Sequence, residues 1–146
     1  MIEQIENNNE IIAIIVNSNY STESINFITP IDFPLQLAYM KRSSGYIIDP
    51  HIHYPIKRIT TNTQEVLIIK QGKVRVDFFD NNKMYLTSRL LSEGDVILLC
   101  SGGHGFEFID TAEIIEIKQG PYDKNMDKIR FKYNPKEKNI NYGEDN

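Results

Sequence analysis

Cysteine, histidine and tryptophan are scarce in this sequence of 146 residues, which contains one cysteine, three histidines and no tryptophan. A single cysteine, Cys100, cannot form a disulfide within the chain, and it excludes a zinc site built from several thiolates. The first ten residues are polar and acidic, without the positive start and apolar stretch of a secretory signal. We therefore expect a cytoplasmic protein.

Positive charge and long apolar runs are also lacking. The chain has 16 Lys and Arg residues against 20 Asp and Glu residues, which gives a net charge of -4. Nucleic acids and anionic membranes require a basic surface, so neither is an expected partner. No stretch of about 18 apolar residues predicts a membrane-spanning helix. These absences argue against a nucleic-acid partner and against a membrane protein.

The apolar residues that are present occur in short runs separated by turn residues. With 40% apolar and 25% charged residues, the composition is that of one globular domain covering residues 1–146. Short runs of β-forming residues predict strands near 11–16, 35–41, 66–69, 74–79, 84–86, 88–91, 95–99, 106–109 and 113–117. Only residues 22–27 would accommodate a short helical turn. This pattern predicts an all-β fold of antiparallel strands.

The chain divides into three parts by composition. N-terminal strands are expected within residues 1–34, the motif-bearing core within about 35–119, and a polar surface extension at 123–146. Within that extension Ile129, Phe131 and Tyr133 alternate. The alternation leaves open an added edge strand, although we expect these residues to lie outside the core.

Two of the histidines, His51 and His53, are separated by one residue. Side chains alternate along a β-strand, so two such residues project from the same face and can share a metal ion. The third histidine, His104, is placed by the sequence in a glycine-rich turn between two predicted strands. We assign all three histidines to one site.

The surroundings of the histidine pair resemble the first motif of the cupin superfamily. That motif reads glycine, five residues, His-x-His, a spacer, glutamate, six residues and glycine. The matching residues here are Gly45, His51, His53, Glu65 and Gly72. The spacer between His53 and Glu65 differs from the family motif, because it has eleven residues where the family has three or four.

The second cupin motif is also matched in part. Gly94 and Gly102 occupy motif positions, and His104 lies one residue earlier in the sequence than the motif places its histidine. Cys100 stands at the proline position, and Phe108 replaces an asparagine. The resemblance covers about residues 45–117.

The resemblance implies a jelly-roll, or double-stranded β-helix, barrel of two antiparallel sheets. It also implies one divalent metal ion, held by His51, His53, Glu65 and His104. Imidazole and carboxylate ligands suit iron, manganese, nickel, copper or zinc. The long spacer leaves open a register in which Glu65 turns away, giving a three-histidine site like that of thiol dioxygenases.

Five further residues are candidates for substrate binding: Arg58, Phe106, Phe108, Lys118 and Tyr122. On strand periodicity, Phe106 and Phe108 share a face with His104 and are expected to line the cavity. Lys118 alternates with isoleucines together with Glu116, a pattern that favours a solvated outer face for both residues. Arg58, in the long spacer, is placed to hold an anionic group.

The stretches 63–67, 103–107 and 118–122 resemble small stand-alone bacterial cupins associated with surface-polysaccharide and nucleotide-sugar genes. That likeness implies a metal-dependent isomerase or epimerase acting on a small polar substrate such as a sugar or nucleotide sugar. The alternatives are a metal-dependent dioxygenase and a non-catalytic small-molecule-binding module. A homodimer is also expected, with the run Glu10–Val16 as an edge to be covered.

Overall fold

The computed structural model describes residues 1–133, and this part of the chain consists of ten strands joined by turns and loops, without a helix. The strands are β1 (Ile2–Asn7), β2 (Glu10–Val16), β3 (Ile25–Phe27), β4 (Ala38–Met40), β5 (Glu65–Gln71), β6 (Lys73–Phe79), β7 (Tyr85–Ser92), β8 (Val96–Leu99), β9 (Gly103–Phe108) and β10 (Glu113–Lys118). Within residues 1–133 no helix has the length and apolar character needed to cross a bilayer.

The strands form three antiparallel sheets. The largest has the order β1-β2-β8-β5-β10, the second has the order β7-β6-β9, and β3 pairs with β4. Val76 and Phe78 of β6 pack in one buried cluster with Leu67 of β5 and Ile97 of β8, so the two larger sheets share a core. The prediction of an all-β fold with antiparallel sheets is confirmed.

Two expectations for the N-terminal region are wrong. The segment that was expected to accommodate a helical turn contains β3, in which Ile25 and Phe27 pair with β4. The run Glu10–Val16 is a strand as predicted, but it pairs with β1 on one side and β8 on the other. It is therefore an inner strand, and the polar first strand, β1, occupies the edge.

The turns follow the local chemistry of the sequence. Gly72 and Gly94 have φ angles of +79° and +85°, which a residue with a side chain rarely adopts. In the hairpin between β6 and β7, the carboxylate of Asp80 accepts hydrogen bonds from the backbone N–H groups of Asn82 and Met84. The hairpin predicted at residues 80–83 is confirmed.

The segment after β10 packs without forming a strand. The rings of Phe131 and Tyr133 contact Phe79 edge-on, with centroid distances of 5.1 and 4.8 Å. The added edge strand that the alternation left open does not form in residues 119–133. Residues 134–146, the rest of the expected extension, lie outside the described part of the chain.

Cys100 belongs to a second apolar cluster, on the other face of the five-stranded sheet, and is 4% exposed. Burial raises the pKa of its thiol from 9.0 to about 12. Because the thiolate is the reactive form, native protein at pH 8 should react with an aromatic disulfide reagent about a thousandfold more slowly than an unperturbed thiol. Absorbance of the released thiol measures this rate.

The control for this prediction is the same reaction in concentrated guanidinium chloride, where one thiol per chain should react at the ordinary rate. Rapid labelling of the native protein to one thiol per chain would show that Cys100 is accessible. That result would contradict the burial of Cys100 against the five-stranded sheet.

Candidate functional site

A cleft of about 1020 Å³ lies beside β9, at the edge of the three-stranded sheet. Four of the residues that the sequence singled out line the cleft and come from three strands: Glu65 from β5, His104 and Phe106 from β9, and Lys118 from β10. The cleft thus receives side chains from both larger sheets.

Strand alternation explains why these side chains meet. Glu65 is two residues before Leu67, a core residue, and therefore shares its inward face. His104 lies directly opposite Phe78, another core residue, on the neighbouring strand. Both side chains point between the sheets, where the apolar core gives way to the cleft.

Glu65 lies between two nitrogen-bearing side chains. One carboxylate oxygen, Oε2, is 3.3 Å from Nε2 of His104, and the other, Oε1, is 3.4 Å from Nζ of Lys118. Lys118 also pairs with Glu116 at 2.8 Å, and its Nζ lies 5.2 Å from the centre of the Tyr122 ring. The side chains of Glu65 and Lys118 are 13% and 19% exposed, so the ion pair between them is largely shielded from solvent.

The electrostatics of the site favour an ionised carboxylate. The hydrogen bond with His104 is the main cause that lowers the pKa of Glu65, and Lys118 lowers it further, while burial opposes both effects. The pKa of Lys118 is raised, chiefly by its hydrogen bond with Glu116. At neutral pH the site therefore holds the carboxylate of Glu65 and the ammonium group of Lys118.

The expected solvated outer face is wrong for Lys118. Lys118 and Glu116 share a face with Ile114, which packs against the core, and the side chain of Lys118 is only 19% exposed, whereas Glu116 is solvated as expected, at 48%. Ile115 and Ile117 are instead 45% and 50% exposed. They extend the apolar outer face of the five-stranded sheet, so apolar residues occur on both faces of β10.

The other candidate substrate residues are only partly assembled. Phe106 lines the cleft and its ring centre is 5.3 Å from that of His104. Phe108 shares the face of Phe106, as expected, but is 57% exposed. Tyr122 is equally exposed and touches the cleft only through Lys118, and Arg58 lies in an exposed loop.

The histidine pair lies away from regular structure. His51 and His53 belong to residues 41–63, an exposed segment without a strand, where their rings meet edge-on with centroids 5.1 Å apart. The strand expected for them is wrong. Pro50 and Pro55 flank the pair and remove two backbone donors that a strand would need. His104, in contrast, lies within β9 and not in the turn expected from its neighbouring glycines.

The possible metal ligands are not arranged as the expected four-residue site in the described part of the chain. Among residues 1–133 there is no group of three or more His, Cys, Asp or Glu side chains that could hold a metal ion. Glu65 and His104 are adjacent, whereas His51 and His53 are not grouped with them. The described chain therefore fits neither the expected four-ligand site nor its three-histidine alternative.

A second charged network lies on the opposite face of β6 and borders the same cleft. Arg75 pairs with Asp77 at 2.9 Å and with Glu107 at 2.6 Å, and Ser88 donates a hydrogen bond to Asp77. The sequence assigned no role to this network. The sequence pattern that could have predicted it is the alternation of Arg75 and Asp77 with valines along β6, which places the two charged residues on the face of the strand opposite the core.

Comparisons of the chain with protein-family models, with curated proteins and with solved structures found no match.

Proposed function

We propose that this chain is a cupin that binds a small polar, oxygenated molecule, such as a sugar or a nucleotide sugar, in the cleft beside β9. Two observations support the cupin proposal. Glu65 and His104, which the cupin motifs assign to one site, lie 3.3 Å apart. Gly72 and Gly94, two glycines of the motifs, both have the positive φ angles that make glycine favourable.

The observation that carries the function is the charged chain from Lys118 through Glu65 to His104 inside the cleft. Cavities for small molecules have volumes of several hundred to about 1,000 Å³ and combine apolar walls with a few placed polar groups. Phe106 supplies an apolar wall beside His104. A carboxylate, an ammonium group and an imidazole can together donate to and accept from several hydroxyl groups.

The geometry also supports proton transfer. If Nε2 of His104 donates its hydrogen to Glu65, Nδ1 of the neutral ring is unprotonated and can accept a proton from a bound ligand. The carboxylate orients the ring and stabilises the imidazolium that forms. Removing a proton next to a carbonyl and returning it at the neighbouring carbon is an isomerisation, and returning it on the opposite face is an epimerisation.

The test is proton exchange in deuterium oxide, followed by nuclear magnetic resonance with keto-hexose phosphates and nucleoside-diphosphate keto-hexoses as probes. Wild-type protein should bind at least one probe saturably and replace a carbon-bound proton with deuterium. His104→Gln should slow this exchange by about a hundredfold or more, because general acid–base catalysis contributes that factor, and should change the dissociation constant much less.

A matched control is Lys70→Met, which removes an exposed ion pair with Glu113 on the same two strands as Glu65 and Lys118. This variant should exchange at the wild-type rate. Binding without exchange in the wild-type protein would leave a non-catalytic binding module and refute the proton-transfer step. If none of the probes binds, the proposed function is wrong.

A further inference from the structure

Residues 126–133, which follow the last strand, form one wall of the cleft. All of them except Lys132 line it. Two large apolar side chains of this wall, Met126 and Ile129, are 83% and 81% exposed. Phe106, on the strand β9 that borders the same cleft, is 38% exposed. Apolar surface is thus uncovered on two walls of one cleft, and bringing these walls together would remove it from water.

The segment 119–130, which we call the lid, is held at both of its ends. At its start, the side chain of Gln119 accepts a hydrogen bond from the N–H of Gln64, at 2.8 Å. Directly after its end, the ring of Phe131 packs edge-on against Phe79, with centroids 5.1 Å apart. Between these two anchors no residue of the lid is buried. The lid is therefore tethered to the walls of the cleft and accessible to solvent along its length.

The middle of the lid is a turn closed by its own hydrogen bonds. The carbonyl of Asp123 accepts hydrogen bonds from the N–H groups of Met126 and Asp127, at 3.2 and 2.9 Å. The carboxylate of Asp127 accepts from the N–H of Asp123 at 3.2 Å, and that of Asp123 accepts from the N–H of Asn125 at 2.8 Å. Because this turn is preorganised, the lid can move as one unit and loses less conformational entropy when it closes.

A glycine on β9 makes room for the ring of Phe131. A Cβ at Gly103 would lie 3.3 Å from one atom of that ring and 3.3 Å from Cβ of Phe79. Phe79 is 2% exposed and lies within β6, so close packing holds it in place. Phe131 lies in residues 119–133, which form no strand, so it is the ring that would have to move. The missing side chain at position 103 therefore lets the end of the lid pack on the sheet.

Phe131 and Tyr133, which we call the latch, hold the lid with a gain and a cost. The gain is aromatic packing, since Tyr133 also stacks on Tyr85 with centroids 5.3 Å apart. The cost is the buried hydroxyl of Tyr133, which has no hydrogen-bond partner within residues 1–133. Because the two effects oppose each other, the latch can release and form again.

We propose that residues 119–130 are a lid that closes over a ligand in the cleft by bringing Met126 and Ile129 against Phe106, while the latch holds its end. The inference rests on the proposed function, because the ligand is the one that the cleft binds. A closed lid expels water from the cleft, which strengthens the hydrogen bonds between the ligand and polar side chains such as Glu65 and Lys118. Opening of the lid then admits and releases the ligand.

Limited digestion with trypsin tests the latch without a ligand. Cleavage after Arg130, at the peptide bond to Phe131, requires the latch to open, and mass spectrometry of the fragments measures its rate. Gly103→Ala should speed this cleavage about tenfold, because the new methyl group displaces Phe131. Tyr133→Phe should slow it by about the same factor, because the unpaired hydroxyl is removed.

The matched control for Gly103→Ala is Gly105→Ala, on the same face of β9, where the new Cβ would meet only Phe79 at 3.9 Å. This variant should be cut at the wild-type rate. Equal acceleration in the two alanine variants, or no change in either, would overturn the latch. If Gly103→Ala does not fold, Tyr133→Phe decides, and faster or unchanged cleavage in that variant would overturn the latch.

Disulfide formation tests closure, again without a ligand. A chain with Phe106→Cys and Ile129→Cys is treated with oxidised glutathione, and mass spectrometry measures the yield of the internal disulfide. Closure should bring these two thiols together. The control is Phe106→Cys with Lys132→Cys, because Lys132 is exposed and does not line the cleft. Equal yields from the two pairs, or no disulfide from the first pair, would overturn closure.

The sugar-phosphate probes of the exchange experiment test the link to the ligand. Lys128 is an exposed residue of the lid that lines the cleft. A probe at ten times its dissociation constant should slow cleavage after Lys128 about tenfold. Binding and proton exchange with unchanged cleavage would overturn the lid and leave the proposed function standing. If no probe binds but the latch and disulfide results are as expected, the closing segment is supported and the proposed function alone fails.

Discussion

Replacing Asp77 with alanine is expected to lower the free energy of unfolding by about 3–5 kcal/mol, the cost of breaking a buried ion pair. The carboxylate accepts two hydrogen bonds from Arg75, at 2.9 and 3.1 Å, and one from Ser88. The side chains of Arg75 and Asp77 are 6% and 8% exposed, so water cannot replace the lost carboxylate. Guanidinium denaturation followed by circular dichroism measures the change.

Glu107→Ala is the matched control for this prediction. Glu107 pairs with the same arginine at 2.6 Å, but its side chain is 52% exposed. Ion pairs with a solvated partner contribute about 1 kcal/mol or less, so this variant should be only slightly destabilised. Equal losses for the two variants would mean that burial does not determine the strength of the network.

The class of fold could be predicted because local patterns determine it. Residues 74–78 alternate between core residues and the charged residues of the outer network, and this period of two is visible in the sequence. The hairpin after them depends on Asp80 and its neighbours alone. The order of strands in the sheets could not be predicted in the same way, because it depends on contacts between residues far apart in the chain.

Half of the expected metal site is assembled in the described chain and half is not. Glu65 and His104 each lie within a strand, so their direction follows from neighbouring core residues. The spacing of His51 and His53 places them on one face only if they form a strand, and the prolines that flank them remove backbone donors that a strand needs.

On β10, strand alternation alone could not predict which face is buried. Isoleucines occur on both of its faces, so alternation predicts that Lys118 and Glu116 share a face but does not say which face is buried. The choice is made by pairing with β5, where Lys118 lies opposite Glu65. Lys118, expected to be solvated, therefore faces the cleft and pairs with Glu65 on the neighbouring strand.

Gly72→Ala is expected to be destabilising by about 2–5 kcal/mol. A side chain at φ +79° costs about 1–2 kcal/mol, and a forced contact in a packed region adds about 1–3 kcal/mol. The new Cβ would lie 2.4 Å from the carbonyl oxygen of Thr111 and 2.9 Å from Cα of Ala112, and these backbone atoms have little freedom to move. Denaturation midpoints of the variant and the wild type measure the loss.

The matched control is Gly45→Ala, because Gly45 has nearly the same φ angle, +82°, but a Cβ there would meet nothing within 4 Å. This variant should show only the conformational cost of about 1–2 kcal/mol, or less where the exposed segment relaxes. The difference between the two variants then isolates the close approach of residues 111–112 to the turn between β5 and β6. Equal destabilisation would show that the φ angle alone requires glycine at position 72, and that the tight packing of this turn adds nothing to stability.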